Sequence, residues 1–168
     1  MVQIYTGNGK GKTTAALGLS MRAAGAGLRV LFVQFMKEAH TSELEALKLL
    51  SDTITVKRFG PGSFILNIPR QEDFECALDA FIEIDEAVKS GDYNMVVADE
   101  ICTALYYGLV DKNKTLKIMQ DCPPTIELVF TGRYADDDLI NAADLVTEMR
   151  EIKYYDQENI PARKGIEY

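Results

Sequence analysis

The segment of this chain best equipped for chemistry is Thr6-Gly7-Asn8-Gly9-Lys10-Gly11-Lys12-Thr13-Thr14. Gly7, Gly9 and Gly11 let the backbone curl until successive N–H groups point at one centre, the arrangement that surrounds phosphate oxygens. Gly11-Lys12-Thr13 completes the end of G-x-x-x-x-G-K-[ST], whereas Thr6 stands in the place of the first glycine and Gly7 comes one position late. In this loop Lys12 neutralises phosphate charge and the Thr13 hydroxyl can ligate Mg²⁺. A helix starting here adds the positive end of its dipole. The plainer reading is a glycine-rich turn with exposed lysines. Glycine averages about 7% of residues, so a cluster this dense between a strand and a helix favours a nucleotide phosphate site.

A second constellation is Met95-Val96-Val97-Ala98-Asp99-Glu100, an apolar run ending in two acids. Beside a phosphate loop, that is where the metal-side carboxylate belongs. Glu100 then either holds the metal or, with Asp99, orients a nucleophile such as water. Arg133 follows an apolar run and touches phosphate or substrate, or else pairs with Asp136 to Asp138. Lys37 has the same ambiguity. His40, the single histidine, reads as a polar loop residue. Cys76, Cys102 and Cys122 lack the spacing of metal ligands.

These residues need elements to position them. Strands are expected over Val2–Thr6, Arg29–Phe35, Thr53–Phe59, Met95–Ala98, Ile126–Thr131 and Leu145–Ile152. Helices are expected over Thr13–Ala24, Ser42–Leu50, Arg70–Ser90, Thr115–Gln120 and Leu139–Ala143, with a loop at Gly60–Ser63. Arg29–Phe35 is apolar on both faces, as in a parallel sheet covered by helices. The alternation predicts an α/β fold: one three-layer, P-loop NTPase-like (RecA-like) domain over residues 1–168, with a mostly parallel sheet and helices on both faces. Its ligands would bind at the carboxyl ends of the strands. Residues 156–168 are polar and aperiodic, a frayed tail or a lid.

The chain has 168 residues and a formal net charge of −8. That acidity argues against a nucleic-acid footprint or an anionic membrane surface as partner. No apolar run reaches the ~20 residues that span a bilayer. No export signal precedes the first strand, and three scattered cysteines suit a reducing compartment, so a cytoplasmic location is expected.

Taken together, Tyr5 to Ala16, Val33-Gln34-Phe35-Met36-Lys37, Val96 to Glu100, Val129 to Arg133, Ala143 to Arg150 and Lys164-Gly165-Ile166-Glu167-Tyr168 resemble the P-loop corrinoid adenosyltransferases. Thr6 in the first-glycine place is itself a feature of that family's loop. The resemblance implies that cobalt(I) of a corrinoid attacks C5′ of ATP and triphosphate leaves, in adenosylcobalamin biosynthesis or salvage. It implies that the loop, Gly7 through Thr14 with Asn8 and Lys10, holds a reversed ATP. Thr13 and Glu100 would hold Mg²⁺ or Mn²⁺, and Arg133 would add a phosphate contact. A homodimer and an electron-donating flavoprotein are implied partners. Members place a Phe and a Trp after the third strand to displace the lower axial ligand of the corrinoid. Here Phe64 supplies one such residue and the chain has no Trp. The first strand is expected from residue 2, so the cover that the N-terminal extension gives longer members is not expected here.

Two other readings fit the motifs: a P-loop ATPase or nucleotide kinase using Asp99 or Glu100, and an ATP- or corrinoid-binding protein without turnover. Products separate them. Transfer yields triphosphate and an adenosylated corrinoid, hydrolysis yields ADP and phosphate, and a binding protein yields neither.

Overall fold

The computed structural model describes residues 1–37, 41–61, 68–154 and 161–168. Six strands, β1 (Val2–Thr6), β2 (Val30–Phe35), β3 (Ile54–Phe59), β4 (Met95–Asp99), β5 (Glu127–Thr131) and β6 (Leu145–Glu148), form one sheet in the order β3-β2-β4-β5-β1-β6. Their pairings are all parallel. The helices are α1 (Lys12–Gly25), α2 (Glu43–Lys48), α3 (Gln71–Ser90), α4 (Ile101–Tyr106), α5 (Lys112–Asp121) and α6 (Asp137–Ala142).

The period-2 side-chain alternation of the central strands builds two cores. Val30 and Phe32 of β2 and Val97 of β4 face one side, where Ala16, Ala23 and Ala24 of α1 and Leu47 of α2 pack. Leu31, Val33 and Phe35, with Val96 and Ala98, face the other, against Ala80, Phe81 and Ile84 of α3 and Leu139 of α6. The small residues of α1 bring its backbone close to the sheet. Ser20 is tolerated there because its hydroxyl donates to Ala16 O at 2.8 Å.

Chain order skips strands between β1 and β2, which are separated by β5 and β4. That leaves a crevice over the strand tips, where ligands of open α/β sheets bind. The loop after β1, the acids after β4 and the residues after β2 and β5 all emerge on this edge.

Two local features depart from the sequence expectation. The strand expected to run to Ile152 ends at Glu148, because Met149 turns onto the glycine loop: Gly9 N–H donates to Met149 O at 2.7 Å and Met149 N–H to Thr6 O at 2.8 Å. Residues 101–106, too short for a periodicity to show, form α4. Glu100 starts it from a left-handed backbone (φ 69°). Phe64 and His40 lie outside the described residues, as do residues 62, 63 and 65 of the loop after β3 and part of the 156–168 segment. Among the described residues no helix is long and apolar enough to cross a membrane.

Cys102 of α4 is 1% exposed. Burial, with the nearby Glu100 charge, pushes its thiol up to about 12. Alkylation of the native protein at pH 8, followed by mass spectrometry, should therefore modify Cys76 and Cys122 well before Cys102, and all three together only after unfolding. Early modification of Cys102 would contradict this packing.

Candidate active site

The glycine loop folds into a tight cradle because two of its residues accept conformations that other side chains resist. Gly7 has φ 97° and Gly11, the residue before α1, has φ 120°. A Cβ on Gly7 would stand 2.5 Å from Met149 O, and one on Gly9 2.8 Å from Met149 O and from Arg150 C and O. The loop is thus pressed against backbone leaving β6, with no side chain between. Lys12, the first residue of α1, is buried and folds back so that its ammonium donates to Gly7 O and Gly9 O, each at 2.8 Å. It bridges the concave side of the loop. Burial lowers its pKa below the ordinary lysine value; Arg133 and Lys37 add to this, and Glu100 and Asp99 oppose it. Those five charged groups share one electrostatic neighbourhood, so the structure brings together the loop, the acidic pair and both cations left ambiguous by sequence.

Asp99, at the tip of β4, is 0% exposed. Its Oδ1 accepts from Thr13 Oγ1 at 2.9 Å and Thr131 Oγ1 at 2.7 Å. Its Oδ2 accepts from Gln34 Nε2 at 3.1 Å and from Lys37 Nζ at 2.7 Å. One carboxylate thereby ties the tips of β2, β4 and β5 to the start of α1. The motif singles out Glu100 for the metal and gives Asp99 only a part in orienting a nucleophile; Gln34 and Thr131 carry no motif of their own. The usable signal was polar residues ending otherwise apolar strands, each meeting the others only after folding.

Glu100 points elsewhere. Its Oε2 accepts from Thr103 Oγ1 at 2.7 Å, and Thr103 Oγ1 in turn accepts from Arg133 N–H at 3.1 Å. Gly132 makes that approach possible: its φ is 135°, and a Cβ there would lie 2.8 Å from Thr103 N. Arg133 is not the partner of the acids that follow it, since Lys112 pairs with Asp136 and Asp138, at 3.3 Å and 2.7 Å. Lys10 turns outward and donates to Ile166 O at 3.0 Å and Glu167 Oε1 at 2.9 Å. Arg163 and Lys10 pull the Glu167 carboxyl down to about 2, so this contact is charged throughout the neutral range. Ser42 Oγ donates to Tyr168 O at 2.9 Å. Residues 161–168, the described part of the segment expected as a tail or lid, therefore link the loop to the start of α2. Asn8 and Thr14 are exposed on the same loop and helix.

Hard oxygen donors stand at the end of β4 and the start of α1: the Thr13 hydroxyl, held by the buried Asp99 carboxylate, and the Glu100 carboxylate, which rests on Thr103. No cluster of three or more His, Cys, Asp or Glu that could hold a metal occurs among the described residues. A small divalent ion such as Mg²⁺ suits this set, because it binds through one or two protein oxygens and takes the rest from phosphate and water. A dedicated protein cage for Ca²⁺ or Zn²⁺ is not what these residues build.

A family model described as ATP:corrinoid adenosyltransferase BtuR/CobO/CobP matches residues 1–168. A corrinoid adenosyltransferase of Pseudomonas aeruginosa is 34% identical over 166 residues, covering 98% of this chain and 82% of its own. One from a Sinorhizobium species is 34% identical over 171 residues, covering 100% and 80%. One from Escherichia coli K12 is 27% identical over 168 residues, covering 100% and 85%.

Two glycine substitutions separate the loop from its helix. Gly9→Ala forces a methyl group into the Met149–Arg150 backbone and displaces the cradle. Nucleotide-dependent turnover should fall about tenfold to a hundredfold, the scale of a sub-ångström to ångström misplacement. Gly18→Ala in α1 meets nothing within 4 Å. It should leave turnover intact and raise unfolding free energy by about 0.5–1 kcal/mol, measured in urea.

Proposed function

The chain belongs to the ATP:corrinoid adenosyltransferase family, and from that membership and the geometry above we propose how its residues do the work. It transfers the adenosyl group of ATP to corrinoid cobalt in adenosylcobalamin biosynthesis. In our reading the attacking electron pair belongs to cobalt(I). It forms the Co–C5′ bond while the C5′–O bond breaks, and that bond's electrons leave on the triphosphate. Negative charge therefore grows on the leaving oxygen, and the groups that matter are those meeting it more strongly in the transition state than before.

The observation that carries this reading is the position of Lys12, buried in the hollow of the loop and donating to Gly7 O and Gly9 O. Those carbonyls hold a cation at the place where phosphate oxygens would come. Once a triphosphate enters, Lys12 and the N–H groups from Gly7 through Thr14 turn to it, with Asn8 and Lys10 on the rim and Arg133 reaching in from the tip of β5. Thr13 and Glu100 would hold Mg²⁺ or Mn²⁺, which supplies Lewis-acid stabilisation of the phosphate charge. Asp99 is then an orienting group: fully buried, it fixes the Thr13 hydroxyl proton so that an oxygen lone pair faces outward. Phe64, by its place after β3, is assigned to the underside of the corrin, where an apolar ring replaces the lower axial ligand and eases reduction of cobalt(II). The same reading treats residues 1–168 as one domain working as a homodimer in the cytoplasm, supplied with electrons by a flavoprotein. The family resemblance supports the dimer and the donor, and three free thiols fit a reducing compartment.

The test of the reaction is an anaerobic assay with ATP, Mg²⁺ and excess cobalt(I) corrinoid, following adenosylcorrinoid and triphosphate. Lys12→Ala and Thr13→Ala should each lose about a hundredfold or more in kcat/KM, the cost of removing one preorganised charge or ligand at a developing anion. Their circular dichroism should match the wild type. Near-wild-type rates in both would remove the loop from the mechanism, and rapid corrinoid-independent release of ADP would favour an ATPase. For Phe64 the comparison is between starting states. Phe64→Ala should impair the reaction from cobalt(II) with a mild reductant by about tenfold, a typical effect of a lost apolar contact, and largely spare that from preformed cobalt(I). Equal losses from both, with a lowered melting temperature, would assign Phe64 to packing.

A further inference from the structure

Lys37 is placed with more care than a surface lysine needs. Met36, just after β2, takes a left-handed conformation (φ 55°) that non-glycine residues rarely adopt. The kink is backed by Gly60 at the end of β3, where a Cβ would lie 2.7 Å from Lys37 N and 2.9 Å from Met36 C. The bend turns the lysine inward. Its ammonium stands 2.7 Å from Asp99 Oδ2 and 3.2 Å from Thr13 Oγ1.

Among the described residues, the other donors to Asp99 are neutral: Thr13, Thr131 and Gln34. Hydrogen bonds alone leave a water-excluded carboxylate charged and uncompensated, so Lys37 supplies the counter-charge. Thr13 matters equally. A hydroxyl has one proton and two lone pairs. The proton goes to Asp99 Oδ1, and Lys37 donates to one of the lone pairs. A metal ion on Thr13 would need a lone pair of the same oxygen, beside the same carboxylate, and would meet the ammonium as a like charge a few ångströms away.

We propose that Lys37 is the resident counter-cation of this site. It keeps divalent metal out of the nucleotide-free protein and admits it only together with a triphosphate. The metal–nucleotide complex brings its own negative charge, which gives the lysine an alternative acceptor at the moment the metal takes the Thr13 oxygen. Metal and ATP then bind cooperatively: each favours the state in which Lys37 has left Thr13. This rests on Thr13 being a metal ligand of an ATP site.

Mn²⁺ serves as the probe, titrated into the full-length protein and followed by the electron paramagnetic resonance signal of the free ion. Wild type, Lys37→Met and Lys37→Gln are compared without nucleotide and with ATP. Wild type should bind Mn²⁺ weakly without nucleotide and much more tightly with ATP. Lys37→Met should bind it about tenfold more tightly than wild type without nucleotide, since a unit charge at this range is worth that much near a surface. Its gain from ATP should shrink in proportion. If Lys37→Met fails to fold around the uncompensated Asp99, Lys37→Gln retains a donor to it and carries the same expectation. Mn²⁺ should also raise the melting temperature of the nucleotide-free Gln variant and not that of wild type. Equal nucleotide-free affinity in wild type and variant, in proteins that still take up Mn²⁺ with ATP, would overturn the role of Lys37. Failure of wild type to bind Mn²⁺ even with ATP would overturn the placement of the metal at Thr13 instead.

Discussion

A carboxylate shut away from water has to be neutralised by its neighbours, and the site is organised around that requirement at Asp99. With no exposed surface, it draws donors from the end of β2 (Gln34), the second residue past that strand (Lys37), the start of α1 (Thr13) and the end of β5 (Thr131). None of these groups is adjacent in sequence to another. Leaving any one unmade strands buried polar atoms at a cost of about 1–3 kcal/mol, so the four strand and helix ends settle together or not at all. The sheet order serves the same end. Placing β4 between β2 and β5 puts Asp99 within reach of both neighbours.

The glycine loop depends on a second constraint, the approach of one backbone to another. β6 is an edge strand with exposed side chains, and its contribution to the core is small. Its value lies at its end, where Met149 exchanges hydrogen bonds with Thr6 and Gly9 and fills the space that side chains on Gly7 or Gly9 would need. The loop is thereby held open before any ligand arrives. The order that a phosphate would otherwise impose is already present in the free chain, which lowers the entropy cost of binding.

Much of this was legible in advance. Glycine spacing marked the loop, and the two-sided apolar strands marked a covered parallel sheet, because both are short-range patterns. Lys12, Thr13 and the acidic pair are singled out by local motif, and the fold brings them to one edge of the sheet. Gln34 and Thr131 are not singled out, because each looks like an ordinary polar end to a strand until β2, β4 and β5 are set side by side. The early end of β6 was hidden for the opposite reason. Leu145 to Ile152 is expected as one strand, and the tertiary contact of Met149 with the loop marks where it stops. The α4 helix escaped because six residues are fewer than two turns, too few for a 3.6-residue period to declare itself.

The charge balance explains how a chain with a net charge of −8 can hold a polyanion without displaying a bare basic patch. Three lysines at the loop rest on internal acceptors: Lys12 on the carbonyls of Gly7 and Gly9, Lys37 on Asp99, Lys10 on Glu167 and the Ile166 carbonyl. On the proposed reading, binding a triphosphate would be an exchange of partners rather than the filling of a positive void. Exchange reduces the net gain per contact, since each protein–protein hydrogen bond given up offsets most of the new one. It also raises selectivity. An anion with a single charge can replace one acceptor and leaves the other lysines where they are. A triphosphate presents enough oxygens to take several lysines at once, so the cost of breaking the internal contacts is recovered only by a ligand of that size and charge.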